Sequence, residues 1–228
     1  MKLYPASLFF LLLPLLAAAQ VPVRSDYFSQ SDPYRPEYDR GGEFNFVRVQ
    51  FDTYYSGGFG GYRGYGGGSW AIDFPDADMN FLRGVSRLTN IRVMSDPIVL
   101  RLDDEDIFDY PFLYMLEVGQ SGGINLNPVE IENLREYLLR GGFLLIDDFW
   151  GTQQWDNFYA AFSQVFPDRE IIELSSDHEI FHCFYDIDGP QMIPAIGRTS
   201  DFGEQDVDRA SNHAILDDNG RVMVLINW

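Results

Sequence analysis

The chain has almost no lysine and almost no cysteine: Lys2 and Cys183 are the only residues of either type. With one lysine at the extreme N-terminus, Schiff-base chemistry and a Walker-type phosphate lysine are excluded. One cysteine cannot form an internal disulfide, so stability must come from the core. Its apolar neighbours Phe181 and Phe184 predict a buried thiol. Basic residues are scarce overall. Beyond residue 19 there are 15 arginines against 35 aspartates and glutamates, a formal charge of −20. Nucleic acid and anionic membrane surfaces both select basic patches, so neither is an expected partner. Long apolar runs are absent apart from Leu8 to Leu16, which is too short to span a bilayer. Lys2 before it and Ala17-Ala18-Ala19 after it make residues 1–19 a secretory signal peptide. The mature protein is therefore expected to be exported, periplasmic or secreted, with no membrane insertion.

Hydrophobic residues at 46% and aromatics at 16% are ample for one core. Residues 20–42 contain three prolines and two closing glycines, and they read as an extended linker. Residues 43–228 then form a single α/β domain. The most telling stretch is 127–151, NPVEIENLREYLLRGGFLLIDDFWG. Asn127 is an N-cap, Pro128 suits the first helical position, and Glu130 completes a capping box. Ile131, Leu134, Tyr137 and Leu138 share one helical face, and Gly141-Gly142 ends the helix. Phe143-Leu144-Leu145-Ile146 is apolar without alternation, as in a strand covered on both faces of a parallel sheet.

Other elements follow the same logic. Strands are expected at 44–52, 91–94, 112–118 and 171–174, and helices at 77–88, 154–165 and 176–185. A hairpin joins 214–216 to 222–226 through Asp217-Asp218-Asn219-Gly220. The acidic run 103–106 falls in a loop and reads as a solvated surface or a helix start. Strands alternating with helices imply a three-layer α/β fold, mostly parallel, with an antiparallel C-terminal hairpin.

In such folds ligands bind outside the carboxyl ends of the strands. That rule selects Glu117, Asp147, Asp148, Trp150 and His178 as candidate ligand-binding residues. Asp147 and Asp148 are adjacent, so strand alternation should send them to opposite faces, leaving at most one for the crevice. Their plainer role is capping and local hydrogen bonding. Trp150 and Trp155 are candidate stacking surfaces. The site would take a small polar or carbohydrate ligand, or a partner protein, with no cofactor expected.

Several motifs compete with that reading. His178-Glu179-Ile180-Phe181-His182 spells H-E-x-x-H, which on a helix sets two imidazoles on one face as zinc ligands with the glutamate as base. His178 and His182 are thus candidate metal ligands, with Glu204 a distant third, and a zinc-dependent hydrolase is the alternative function. The short helix and the lack of a third ligand at metzincin spacing weigh against it; the plainer reading buries Ile180, Phe181 and Phe184. Gly119-Gln120-Ser121-Gly122-Gly123 matches G-x-S-x-G, but no helix starts directly after the serine, as a nucleophile elbow requires. Asp76, Asp78 and Asn80 mimic a calcium loop, yet Phe81 and Arg87 stand where glycine and glutamate belong. The glycine-rich stretch 56–69 lacks a P-loop's lysine and hydroxyl and reads as a plain loop.

VRVQFD (47–52), DFPDADMNFL (73–82), YPFLYMLE (110–117), LREYLLRGGFLLIDDFWG (134–151) and VFPDREIIELSSDHEIFHCFYDI (165–187) together resemble the bacterial family called domain of unknown function 4159. The likeness covers nearly all of 44–228. It implies a flavodoxin-like layout, akin to class I glutamine amidotransferases and trehalose-utilisation-like proteins, and no established activity. It implies a proline in relatives at the position of Glu179, and a continuation beyond the hairpin, so a C-terminal part is expected to be missing after Trp228. Amidotransferases place a nucleophilic cysteine at an elbow after a central strand. Here that place holds Asp147-Asp148, and Cys183 lies elsewhere without elbow glycines, so the amidotransferase nucleophile is absent.

Overall fold

The computed structural model describes residues 44–55, 68–191 and 209–228. The expected signal peptide, the linker, most of the glycine-rich loop and Glu204 lie outside the described residues. Seven strands form one sheet: β1 (Val47–Gln50), β2 (Ile98–Arg101), β3 (Phe112–Leu116), β4 (Phe143–Asp147), β5 (Ile172–Glu173), β6 (Asn212–Leu216) and β7 (Val222–Asn227). Their order across the sheet is β2-β1-β3-β4-β7-β6-β5. Pairing is parallel from β2 to β7, while β6 runs antiparallel to both β7 and β5. This is the expected mostly parallel α/β sheet with an antiparallel C-terminal pair. No helix among the described residues is long and apolar enough to cross a membrane.

Among the described residues, three α-helices lie on the two faces: α1 (Asp76–Leu88), α2 (Pro128–Leu139) and α3 (Gly151–Val165). The capping box of α2 is complete. The Asn127 side chain accepts from the backbone N–H of Val129 and Glu130, and the Glu130 carboxylate accepts from the N–H of Asn127. Leu134, Tyr137 and Leu138 of α2 and Phe158, Ala161 and Phe162 of α3 pack on Val47, Leu113, Leu144, Ile146 and Val224, forming the larger core. On the opposite face, Leu82 of α1 packs on Phe46, Phe112, Tyr114 and Leu116. Further along that face, Leu174 and Phe181 pack with Ala214.

Several expectations need correction. Residues 91–94 contribute only a bridge, Val93 to Phe44, and the true edge strand is β2 at 98–101. Pro97 marks the start of that strand, where its missing N–H removes no ladder bond. The run 103–106, by contrast, is a helix start, as one of its two readings had it: a 3-10 turn, Glu105–Asp109, capped by the Asp104 side chain. The helix expected over 176–185 is a single 3-10 turn, Glu179–Phe181. Without that helix only Phe181 is buried, and Cys183 and Phe184 are exposed, so the predicted core cysteine is wrong. α3 begins at Gly151, three residues earlier than expected, because the Gln154 side chain accepts from the N–H of Trp150 and closes the first turn.

Candidate functional site

At the carboxyl ends of the parallel strands the chain turns sharply. Glu117 follows β3 at φ 53° and Asp148 follows β4 at φ 58°. Left-handed non-glycine residues are sparsely populated and are held only by surrounding structure. Here the hold is visible. The N–H of Glu117 donates to the Asp147 carbonyl at 3.1 Å, and the buried Glu117 carboxylate accepts from the Gln120 side chain. The Asp148 carboxylate accepts from the Trp150 indole N–H at 3.0 Å. β4 ends at Asp147, and Asp148 turns left-handed just beyond it, its carboxylate held by the indole N–H of Trp150, the N-cap residue of α3.

Asp147 lies on the sheet face shared with α1. In-register pairing puts Arg48 of β1 beside Tyr114 of β3, Tyr114 beside Leu145 of β4, and Leu145 beside Leu225 of β7. Asp147 and Asn227 lie two residues further along, on the same face, and Asn212 of β6 is opposite Asn227. The polar members connect. Tyr114 donates its hydroxyl to Asp147 Oδ2 at 3.2 Å, Asn227 donates Nδ2 to Asp147 Oδ1 at 3.1 Å, and Asn212 donates Nδ2 to Asn227 Oδ1 at 2.5 Å. A hydrogen-bonded row thus crosses β3, β4, β7 and β6. Burial and the Asp147 charge push the Tyr114 hydroxyl well above the usual phenol range, so it stays a donor.

Behind the row, Arg48 is fully buried and gripped at two points by Asp78, 2.9 and 2.5 Å, with carbonyls of Trp70 and Ile72 taking a further N–H group. Its guanidinium stands 4.9 Å from the Tyr114 ring centre. Burial raises the Asp78 carboxyl above the ordinary range, against the pull of Arg48. Arg101, at the end of β2, is likewise held by Asp52, Asp103 and Glu130. Neither arginine is free to meet an anion.

The switch point between β1 and β3, where doubly wound folds commonly bind, is laced shut by backbone. Thr53 bridges Ile124, and the N–H groups of Tyr54 and Tyr55 donate to the carbonyls of Gly123 and Ser121. Ser121 itself is a left-handed turn residue, with no helix before Pro128, so the elbow is not formed.

His178 lies five residues past the end of β5, the edge strand, which is three strand steps from β4. It caps the 3-10 turn, with Nδ1 accepting from the N–H of Ile180. The ring of His182 meets the Asp186 carboxylate through Nδ1 and the Ser176 carbonyl through Nε2. Among the described residues no group of three or more His, Cys, Asp or Glu is gathered for a metal. Of the candidates, Glu117, Asp147, Asp148 and Trp150 follow or end the neighbouring strands β3 and β4, and His178 follows the edge strand β5. Arg48, Tyr114, Asn212 and Asn227 were missed, because each sits on an unremarkable strand and only sheet register brings them into line; Asp78 of α1 was considered only as part of a calcium-loop mimic.

The family model described as Domain of unknown function (DUF4159) matches residues 61–228, and the chain belongs to that family. The match begins after β1. No curated protein matches the chain.

Proposed function

We propose that this member of the DUF4159 family is an exported module that binds a small polar ligand at the carboxyl end of its sheet, beside Asp147. One observation carries the reading: among the described residues, a carboxylate on a central strand is held by neutral donors, Tyr114 and Asn227, and by no cation. A carboxylate has about four acceptor positions, and among the described residues this one accepts at two. It stands where open α/β sheets take their ligands. Export is supported by the leader-like residues 1–19, with their apolar run and small-residue cleavage site. Glu117, Asp148 and Trp150 would line the same edge. A zinc hydrolase built on His178, Glu179 and His182 has no comparable support, because a 3-10 turn does not stack residues four apart on one face.

The test is a thermal-shift screen of polar metabolites against the full chain and its Asp147→Ala variant. The expected result is at least one compound that raises the melting temperature of the wild type and not of the variant. Stabilisation retained in full by Asp147→Ala would place the site elsewhere. Stoichiometric zinc that disappears with His182→Ala would instead restore the hydrolase.

A further inference from the structure

α1 covers the β1 and β3 side of its sheet face, and the 176–187 segment covers β5 and β6. Between them Phe143 and Leu145 of β4 and Leu225 of β7 are only partly buried. Leu145 and Leu225 are in-register neighbours, and the polar row begins two residues beyond them with Asp147 and Asn227. Central strands of a parallel sheet are ordinarily covered on both faces. Here a half-open apolar floor meets a carboxylate–amide–amide edge.

From this juxtaposition we infer that the ligand is a neutral sugar or polyol, lying with its C–H face on Leu145 and Leu225 and its hydroxyl edge against Asp147, Asn227 and Asn212. The inference rests on the small-ligand reading above and names its chemical class. The row offers both halves of what a hydroxyl needs. Asp147 has acceptor positions to spare, and each asparagine amide has a second N–H beyond the one already used. Adjacent hydroxyls of one ring can donate to the carboxylate and accept from an amide. An anion is disfavoured: the row has no cationic member, Arg48 beside Tyr114 is locked to Asp78, and the whole chain carries a formal charge of −19. A divalent cation is disfavoured too, because one carboxylate with amides is far short of the oxygen-rich, multiply charged shell such ions take. The apolar floor matches the amphipathic ring of a sugar, with one face of C–H groups and a rim of hydroxyls.

The experiment is a glycan array probed with the full chain, carrying neutral, phosphorylated or sulfated, and amino-sugar ligands, followed by calorimetric titration of the hits. Asp147→Leu and, as the milder change, Asn212→Ala are titrated beside the wild type, with circular dichroism to verify folding. Neutral glycans should bind, and each variant should bind them about tenfold or more weakly, as loss of a charge-assisted or paired hydrogen bond implies. Binding confined to anionic or amino glycans, or no neutral glycan bound at millimolar concentration, overturns the sugar assignment. If a metabolite is then found whose stabilisation depends on Asp147, the class alone has failed and the site stands. Neutral-glycan binding unchanged in both folded variants overturns the site as well.

Discussion

Arg48 and Asp78 form a two-point ion pair with neither side chain reaching solvent. Removing one partner strands the other charge in the core. Asp78→Ala should therefore destabilise the fold by about 3–5 kcal/mol, whereas a matched apolar pair such as Arg48→Met with Asp78→Leu should be neutral or stabilising. Urea denaturation of the single and double variants measures this; equal losses in both would mean that the pair is not the issue. His213 makes a second residue-scale prediction. It lies against Trp155 and Trp228, and its Nδ1 is buried with no hydrogen-bond partner among the described residues. Burial holds its imidazole below the ordinary 6.5. The unfolded chain then binds the proton more readily than the folded one, so the contribution of His213 to stability is present above pH 6.5 and falls on acidification through the folded pKa. Melting temperature should drop as pH is lowered below 6.5, and His213→Phe should flatten that part of the profile.

At the scale of elements, α2 was legible because its signals are local. Cap, proline, capping glutamate and glycine stop all act within a few residues, and every one is realised. Asn127→Ala should cost about 1 kcal/mol, the usual value of such a cap, read as a lower urea midpoint with unchanged slope. The turn after β3 is governed by close approach rather than by a cap. A Cβ on Gly119 would stand 2.4 Å from the Gln154 carbonyl oxygen of α3. Gly119→Ala should destabilise by roughly 1–3 kcal/mol, as overpacking does, and should shift backbone resonances at the start of α3. The 176–185 segment shows the opposite case. Its apolar residues have helical spacing, yet packing on Ala214 and Leu174 needs only Phe181, and one 3-10 turn supplies it. Spacing alone could not reveal that the neighbouring aromatics, Phe184 and Tyr185, stay exposed.

For the whole molecule, charge imbalance dominates. With a formal charge of −19, compaction brings like charges together, and salt at the physiological range screens them over about 8 Å. Adding sodium chloride from low ionic strength should raise the melting temperature. A fall would indicate that attractive pairs, such as Arg101 with Asp52 and Glu130, outweigh the repulsion.

Sequence by itself determined the α/β class, the parallel centre and the hairpin, because periodicity, caps and turn residues are encoded within short windows. It also offered Asp147, as one of five candidates for the crevice. Tertiary structure decided what Asp147 belongs to. Which strands become neighbours depends on crossovers of tens of residues, and only that order lines Tyr114, Asp147, Asn227 and Asn212 into one row while setting β5, the strand before His178, three steps from β4. The same pairing closes the β1–β3 mouth with backbone hydrogen bonds and leaves the face of β4 and β7 half open. Those outcomes rest on long-range register, which no local pattern of residues specifies.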